Sequence, residues 1–247
     1  MTPPYNARYF ETPETVHNQI LLNRVAVVVD VLRATSTIIT ALYNGCRKVI
    51  PVTTIKEARL RAREFEADGV MLGGERRGVK ISGFDAGNSP REYHSQAVVG
   101  RTIILTTTNG TKALAGTTAA KATLVLSFLN LTAVARALCK IDASVNLIAA
   151  GGRGKYSIED SVCCGLLLDA LIKMNADRYK VGQHEVELLR FSRPYLENIK
   201  ELLIQSPHGT LLRKLGFEND LDFCSRMDAF PIVPVYQEGR IMAVNRV

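Results

Sequence analysis

"VAVVVDVLRATSTIITALYNG", Val25 to Gly45, decides how the chain is read. Four valines and an alanine run without a polar break to Asp30, and an apolar run of this length reads as a strand buried on both faces, the kind found in parallel sheets covered by helices. A polar turn follows, holding an acid (Asp30), a guanidinium (Arg33) and three hydroxyls (Thr35, Ser36, Thr37). Beyond it the spacing predicts an amphipathic helix, with Ser36 or Thr37 as its N-terminal cap and Gly45 closing it in the left-handed conformation.

The same unit recurs. "RTIILT" passes through "TTNGT" into "KALAGTTAA", and "SVNLIAA" through "GGRGKYS" into "IEDSVCCGLLLDALIKM". Between them "RKVIPV" predicts a short strand, and "TIKEARLRAREFEADG" a helix with a capping box from Thr54 to Glu57 and a closing Gly69. Strands alternating with helices imply an α/β fold: a mainly parallel or mixed sheet with helices on both faces, three layers in all. The strand-to-helix loops of such a sheet are expected to open on one edge and to converge there. After about residue 180 helix signals dominate, including "SPHGTLLRKLG" with Ser206 as cap, Pro207 in the first turn and Gly216 at the end. The tail "FPIVPVYQEGRIMAV" predicts two strands around Glu238-Gly239, with Pro231 and Pro234 pointing to a sheet edge. No low-complexity linker interrupts the sequence, so we expect one domain over residues 1–247, with room for two lobes.

Composition narrows the function. With 247 residues and 47% apolar content the chain can bury a generous core. No apolar run reaches the roughly 18 residues needed to span a bilayer. The N-terminal stretch has neither the basic nor the apolar region of a secretory signal, so a cytoplasmic protein without a membrane partner is expected. Five scattered cysteines form no CxxC pair and no zinc spacing, and read as core residues. The net charge of +7 suits anions, but aromatics are 6% of the chain and Trp is absent, which leaves few stacking platforms for nucleic acid. A small anionic substrate is the expected partner, with a homodimer as the expected assembly.

Four polar loops carry the chemistry: "DVLRATST", "GGERRGVKISGFDAGNSPRE", "TTTNGTKA" and "AAGGRGKYSIED". Each has a bland reading, since Gly, Ser, Thr and Asn supply turns and caps wherever a strand becomes a helix. In combination they say more. Helix N-termini offer unpaired N–H groups to anionic oxygens, and Ser36 with Thr37, Thr108 to Thr111, and Gly151 to Gly154 are candidate cradles. Arg33, Arg76 or Arg77, and Arg153 add planar donors. Against them stand Asp30, Glu75, Asp85, Glu159 and Asp160, which would repel an anion unless a cation such as Mg²⁺ reverses their sign. A Walker loop is excluded, because Gly154-Lys155 is followed by Tyr156 and Ala149 stands where the first glycine belongs. The Asp-x-Asp motif of haloacid dehalogenase phosphatases is excluded by Leu32.

Together "DVLRATSTIITAL", "GGERRGVKISGFDAGNSPREY", "TTTNGTKAL", "AAGGRGKYSIEDSVCCGLLLDAL" and the tail "SPHGTLLRKLGFENDLDFC…VPV" resemble the 2-phosphosulfolactate phosphatase family from about residue 22 onward. The resemblance implies a Mg²⁺-dependent hydrolase that converts 2-phospho-3-sulfolactate to 3-sulfolactate and phosphate, a step in coenzyme M biosynthesis. We therefore expect Asp30 and Arg33 in catalysis and Asp30, Glu75, Asp85 and Asp160 at the metal. Substrate contacts are expected from Ser36, Thr37, Asn88, Ser89, Thr108, Asn109, Gly110, Thr111, Gly152 and Arg153. Asp30, delivered by a strand, is expected to matter more than Asp160, which a helix's first turn alone would explain. The alternative is a non-catalytic module that binds a phosphorylated or sulfonated metabolite, for which acids beside the ligand would serve no purpose.

Overall fold

A computed structural model describes residues 5–65, 69–152 and 154–244. Eleven strands, β1 (Tyr5–Phe10), β2 (Val25–Val29), β3 (Lys48–Pro51), β4 (Val70–Arg76), β5 (Val79–Lys80), β6 (Thr102–Thr106), β7 (Ala122–Leu126), β8 (Val145–Ala149), β9 (Tyr179–Lys180), β10 (Val233–Gln237) and β11 (Arg240–Val244), form one mixed, mostly parallel sheet. Their order is β5-β4-β6-β3-β11-β10-β7-β2-β8-β1-β9.

All five residues of β2 are buried, as its unbroken apolar run requires. Val25, Val27 and Val29 join one core cluster, with Leu131, Val134 and Leu138 of one helix and Val162, Leu166 and Leu167 of another. Val28 joins a second cluster, with Ile38, Ile39 and Leu42. Alternate side chains thus enter opposite layers, which makes the three-layer α/β fold.

The predicted helix after β2 spans Ala34–Tyr43 and ends before Gly45 at φ +96°. Its cap is corrected: Arg33 occupies the N-cap position, and Ser36 and Thr37 lie inside the helix, where their hydroxyls donate to Val31 O and Asn88 O. Thr54 caps Ile55–Ala62 by accepting from Glu57 N, but that helix stops well before Gly69. Ser206 caps Pro207–Lys214 as expected, accepting from Gly209 N, and Gly216 follows at φ +82°. The stretch from Gly73, expected as a loop, begins instead as the end of β4.

Two further expectations change. The C-terminal hairpin is not at an edge. β10 and β11 stand in the middle of the sheet, between β7 and β3. Pro234 is tolerated there because the ladder from β10 to β7 starts only at Val235, so the missing N–H breaks no bond on that side. The hairpin also reverses direction. β11 is antiparallel to β3, to β10 and, through β10, separated from β7 by another antiparallel pairing. Three reversals set the block β3, β6, β4 opposite to the block β7, β2, β8, β1, so their strand-to-helix loops do not share one edge. The loops after β2 and β6 meet nonetheless, since the helices they lead into, Ala34–Tyr43 and Gly110–Ala115, pack together.

Candidate active site

Asp30 directly follows β2 and is 6% exposed. Its Oδ1 accepts from Ala34 N at 3.3 Å, and the Gly110 N–H also donates to the carboxylate. Gly110 is required by this approach: a Cβ there would lie 2.6 Å from Asp30 Oδ2. Glu75, near the end of β4, is equally buried, with Oε1 accepting from Thr108 N and Oε2 from Gly78 N, each at 2.7 Å. Asp160 is buried in the first turn of Ile158–Met174, where its N–H donates to the capping Ser157 hydroxyl and its Oδ1 accepts from Val31 N at 2.8 Å. It therefore holds the turn that carries Asp30.

Buried acids this close disfavour ionisation together. Burial chiefly, with the Glu75 and Glu159 charges adding, pushes Asp30 up to about 7. Burial, Asp30 and Glu159 raise Asp160 well above the ordinary carboxylate range, and burial raises Glu159. The His208 ring faces this cluster, with Nδ1 3.8 Å from Glu159 Oε1.

Asp30, Arg33, Glu75, Asn88 and Asn109 line one cavity with Leu32, Gly78 and His208. About 20 Å³ of it is open to a water-sized sphere, room for a single water or ion. Among the described residues, Asn88 Oδ1 is buried without a hydrogen-bond partner, as is the Thr108 hydroxyl. A carbonyl oxygen left unpaired beside two carboxylates calls for a cation or a donor. No three His, Cys, Asp or Glu side chains among the described residues form a ready metal cage. Two carboxylates and a neutral oxygen do fit Mg²⁺, which keeps several positions for water and phosphate oxygen.

The other expected residues are placed as follows. Arg33 is 2% exposed and its fork is taken: Nη1 donates to Asp220 at 2.7 Å and Nη2 to Gly78 O at 2.9 Å. Ser89 also donates to Asp220. Thr111 exchanges hydrogen bonds with Thr107. Gly152 forms a backbone bridge with Lys155 and does not line the cavity, and Arg153 lies outside the described residues. Asp85 is exposed, accepts from Leu72 N and does not line the cavity. Sequence reasoning did not assign Gly78, His208 or Asp220. His208 and Asp220 sit in segments that read only as helix.

Fold and site define an α/β protein with an oxygen-lined, acid-rich cavity beside helix N-termini. The chain belongs to the 2-phosphosulpholactate phosphatase family, whose profile matches residues 10–239. A probable 2-phosphosulfolactate phosphatase of Symbiobacterium thermophilum is 41% identical over 227 residues, 91% of this chain and 96% of that one. Relatives with the same name from Clostridium beijerinckii and Clostridium acetobutylicum are 39% and 38% identical, covering 89% and 93% of this chain and 91% and 96% of their own. No helix among the described residues is long and apolar enough to cross a membrane.

Proposed function

We propose that the chain hydrolyses 2-phosphosulfolactate, or a similar small phosphorylated acid, with Mg²⁺. The observation that carries this reading is one ion-sized cavity lined by Asp30, Glu75 and Asn88, whose side-chain oxygen has no hydrogen-bond partner among the described residues. Water adds its oxygen to phosphorus, the bond from phosphorus to the lactate oxygen breaks, and that oxygen leaves with a proton. Asp30 and Glu75 would hold the cation, with Asn88 as a neutral ligand. Bound there, Mg²⁺ would offset the acids and draw charge from the phosphoryl oxygens.

The chain's own groups do the rest. Backbone N–H groups of Thr108 and Gly78 fix both Glu75 oxygens, so that carboxylate is held before anything binds. Those of Ala34 and Gly110 fix Asp30. The Thr108 hydroxyl keeps a donor for an anionic oxygen. We assign the protein to the cytoplasm and to coenzyme M biosynthesis, acting as a homodimer without nucleic acid. A phosphate-release screen over small phosphorylated acids tests the proposal. Release from 2-phosphosulfolactate should stop in metal-stripped protein and return with Mg²⁺; full activity without metal, or none on any of these acids, would overturn it.

A further inference from the structure

Asp220 lies in the helix Glu218–Cys224, 187 residues from Arg33, and is 1% exposed. Both its oxygens are used. Oδ2 accepts from Arg33 Nη1 and Oδ1 from the Ser89 hydroxyl, each at 2.7 Å. The guanidinium is held on two further sides, by Gly78 O at 2.9 Å and by the Phe217 ring, whose centre is 4.3 Å away. Asn88, next to Ser89, has its backbone oxygen held by the Thr37 hydroxyl at 2.9 Å. Its position is therefore fixed on both sides, while its side-chain oxygen stays buried without a partner.

The cavity lining includes Arg33, Gly78 and Asn88 but not Asp220. One carboxylate outside the cavity thus ties down three of its walls, through Arg33 directly, through Arg33 to Gly78, and through Ser89 to Asn88. A buried ion pair is weak evidence for stability, because desolvation offsets much of its attraction. Its two-armed use, from a distant helix, fits a demand for fixed geometry better. Positional error of this kind is expensive, since a misplacement of about 1 Å can lower a rate about 100-fold.

We propose that Asp220 is a positioning residue, setting Arg33 and the Asn88 amide at the cavity, an inference that rests on the phosphatase reading. Asp220→Asn keeps the shape but removes the charge that pairs with Arg33, and an N–H₂ group turned toward Ser89 makes that hydroxyl accept where it had donated. The test is a cycle of Asp220→Asn, Asn88→Ala and the double variant, read as kcat/KM for phosphate release with Mg²⁺, with circular dichroism confirming the fold. Each single change should lose about 100-fold. The double variant should fall no further than about twofold below the worse single one, the scatter expected when two changes remove the same thing. A merely structural Asp220 would instead multiply the losses. Multiplied losses, or a folded Asp220→Asn within about threefold of the wild type, overturn the inference while leaving the phosphatase reading intact. A wild type that releases no phosphate overturns both. Should Asp220→Asn not fold, Ser89→Ala, which frees only the Asn88 arm, enters the same cycle with an expected loss of about 10-fold and the same criteria.

Discussion

Asp30→Asn should remove activity and, in metal-free protein, raise stability. In the metal-free protein, burial and the Glu75 and Glu159 charges push Asp30 from 3.8 up to about 7. The folded state therefore holds a proton that the unfolded state releases between these values. The stability this contributes is fully present below about pH 4 and is lost as pH rises through 7. At 1.36 kcal/mol per unit, an ionised Asp30 above that range is disfavoured by on the order of 4 kcal/mol. Asparagine has no charge to bury, but with one carbonyl oxygen and an N–H₂ group in place of the second it leaves one of the Ala34 and Gly110 N–H groups without an acceptor, a loss of about 1 kcal/mol. The net gain at pH 8 is roughly 2 to 3 kcal/mol, or a Tm higher by about 4 to 12 °C for a chain near this size. At pH 5, about 1.2 units above the unfolded value, the penalty on wild-type Asp30 falls to about 1.6 kcal/mol and the net gain to below about 1 kcal/mol; below about pH 4 it should vanish or reverse. Scanning calorimetry of EDTA-treated wild type and variant at both pH values, with phosphate release beside it, decides the matter. An active variant, or a stability difference that does not change with pH, would refute the assignment.

Asp160→Asn should lose less activity than Asp30→Asn, because the asparagine carbonyl can still accept from Val31 N and keep the turn in place; parallel kcat measurements check this, and an equal loss would promote Asp160 to the same rank. Arg33→Lys should lower kcat by about 100-fold, since one ammonium cannot span Asp220 and Gly78 O as the fork does; wild-type kinetics would show the fork to be dispensable. Gly110→Ala should abolish turnover, because the added Cβ would lie 2.5 Å from Ala34 Cβ and 2.6 Å from Asp30 Oδ2; a variant that folds and turns over normally would mean that this approach is looser than described. Mg²⁺ should bind more weakly as pH falls through 7, since the proton on Asp30 must leave first; calorimetric titration at pH 6 and 8 should show it, and a pH-independent affinity would remove Asp30 from the ligand set.

Local signals in the sequence reported local structure well. The apolar run Val25–Val29 carried its own evidence for burial on both faces, and Ser206, Pro207 and Gly216 marked the ends of one helix because caps act within a turn. Asp30 also stood out, since a carboxylate at the end of an apolar strand is out of place in a core, whereas Asp85, expected beside it, is exposed and does not line the cavity. What stayed hidden depended on distant neighbours. β4 was hidden by Gly73 and Gly74, residues poor in strand propensity that are present because Tyr93 and the Thr106 carbonyl crowd them. Asp220 drew no reading of its own, as nothing near it in sequence announces an arginine 187 positions away. The central place of the hairpin was masked by prolines, which locally argue for an edge.

The reversed direction of the two strand blocks explains why the acids remain together at all. Asp30, Glu159 and Asp160 belong to loops and helices of the block around β2 and β8, whereas Glu75, Thr108 and Gly110 belong to the block around β4 and β6. The cavity exists only where the two meet, so mutual repulsion of the carboxylates opposes their docking, and burial of the apolar clusters on both faces of the sheet has to overcome it. Protonation of Asp30 relieves that repulsion in acid. A divalent cation bound there would relieve it at neutral pH and add stability as RT ln(1 + [L]/Kd). Charge that serves no packing purpose is thus concentrated at the seam, where the folded chain would gain most from binding something positive and, with it, the anionic substrate we propose.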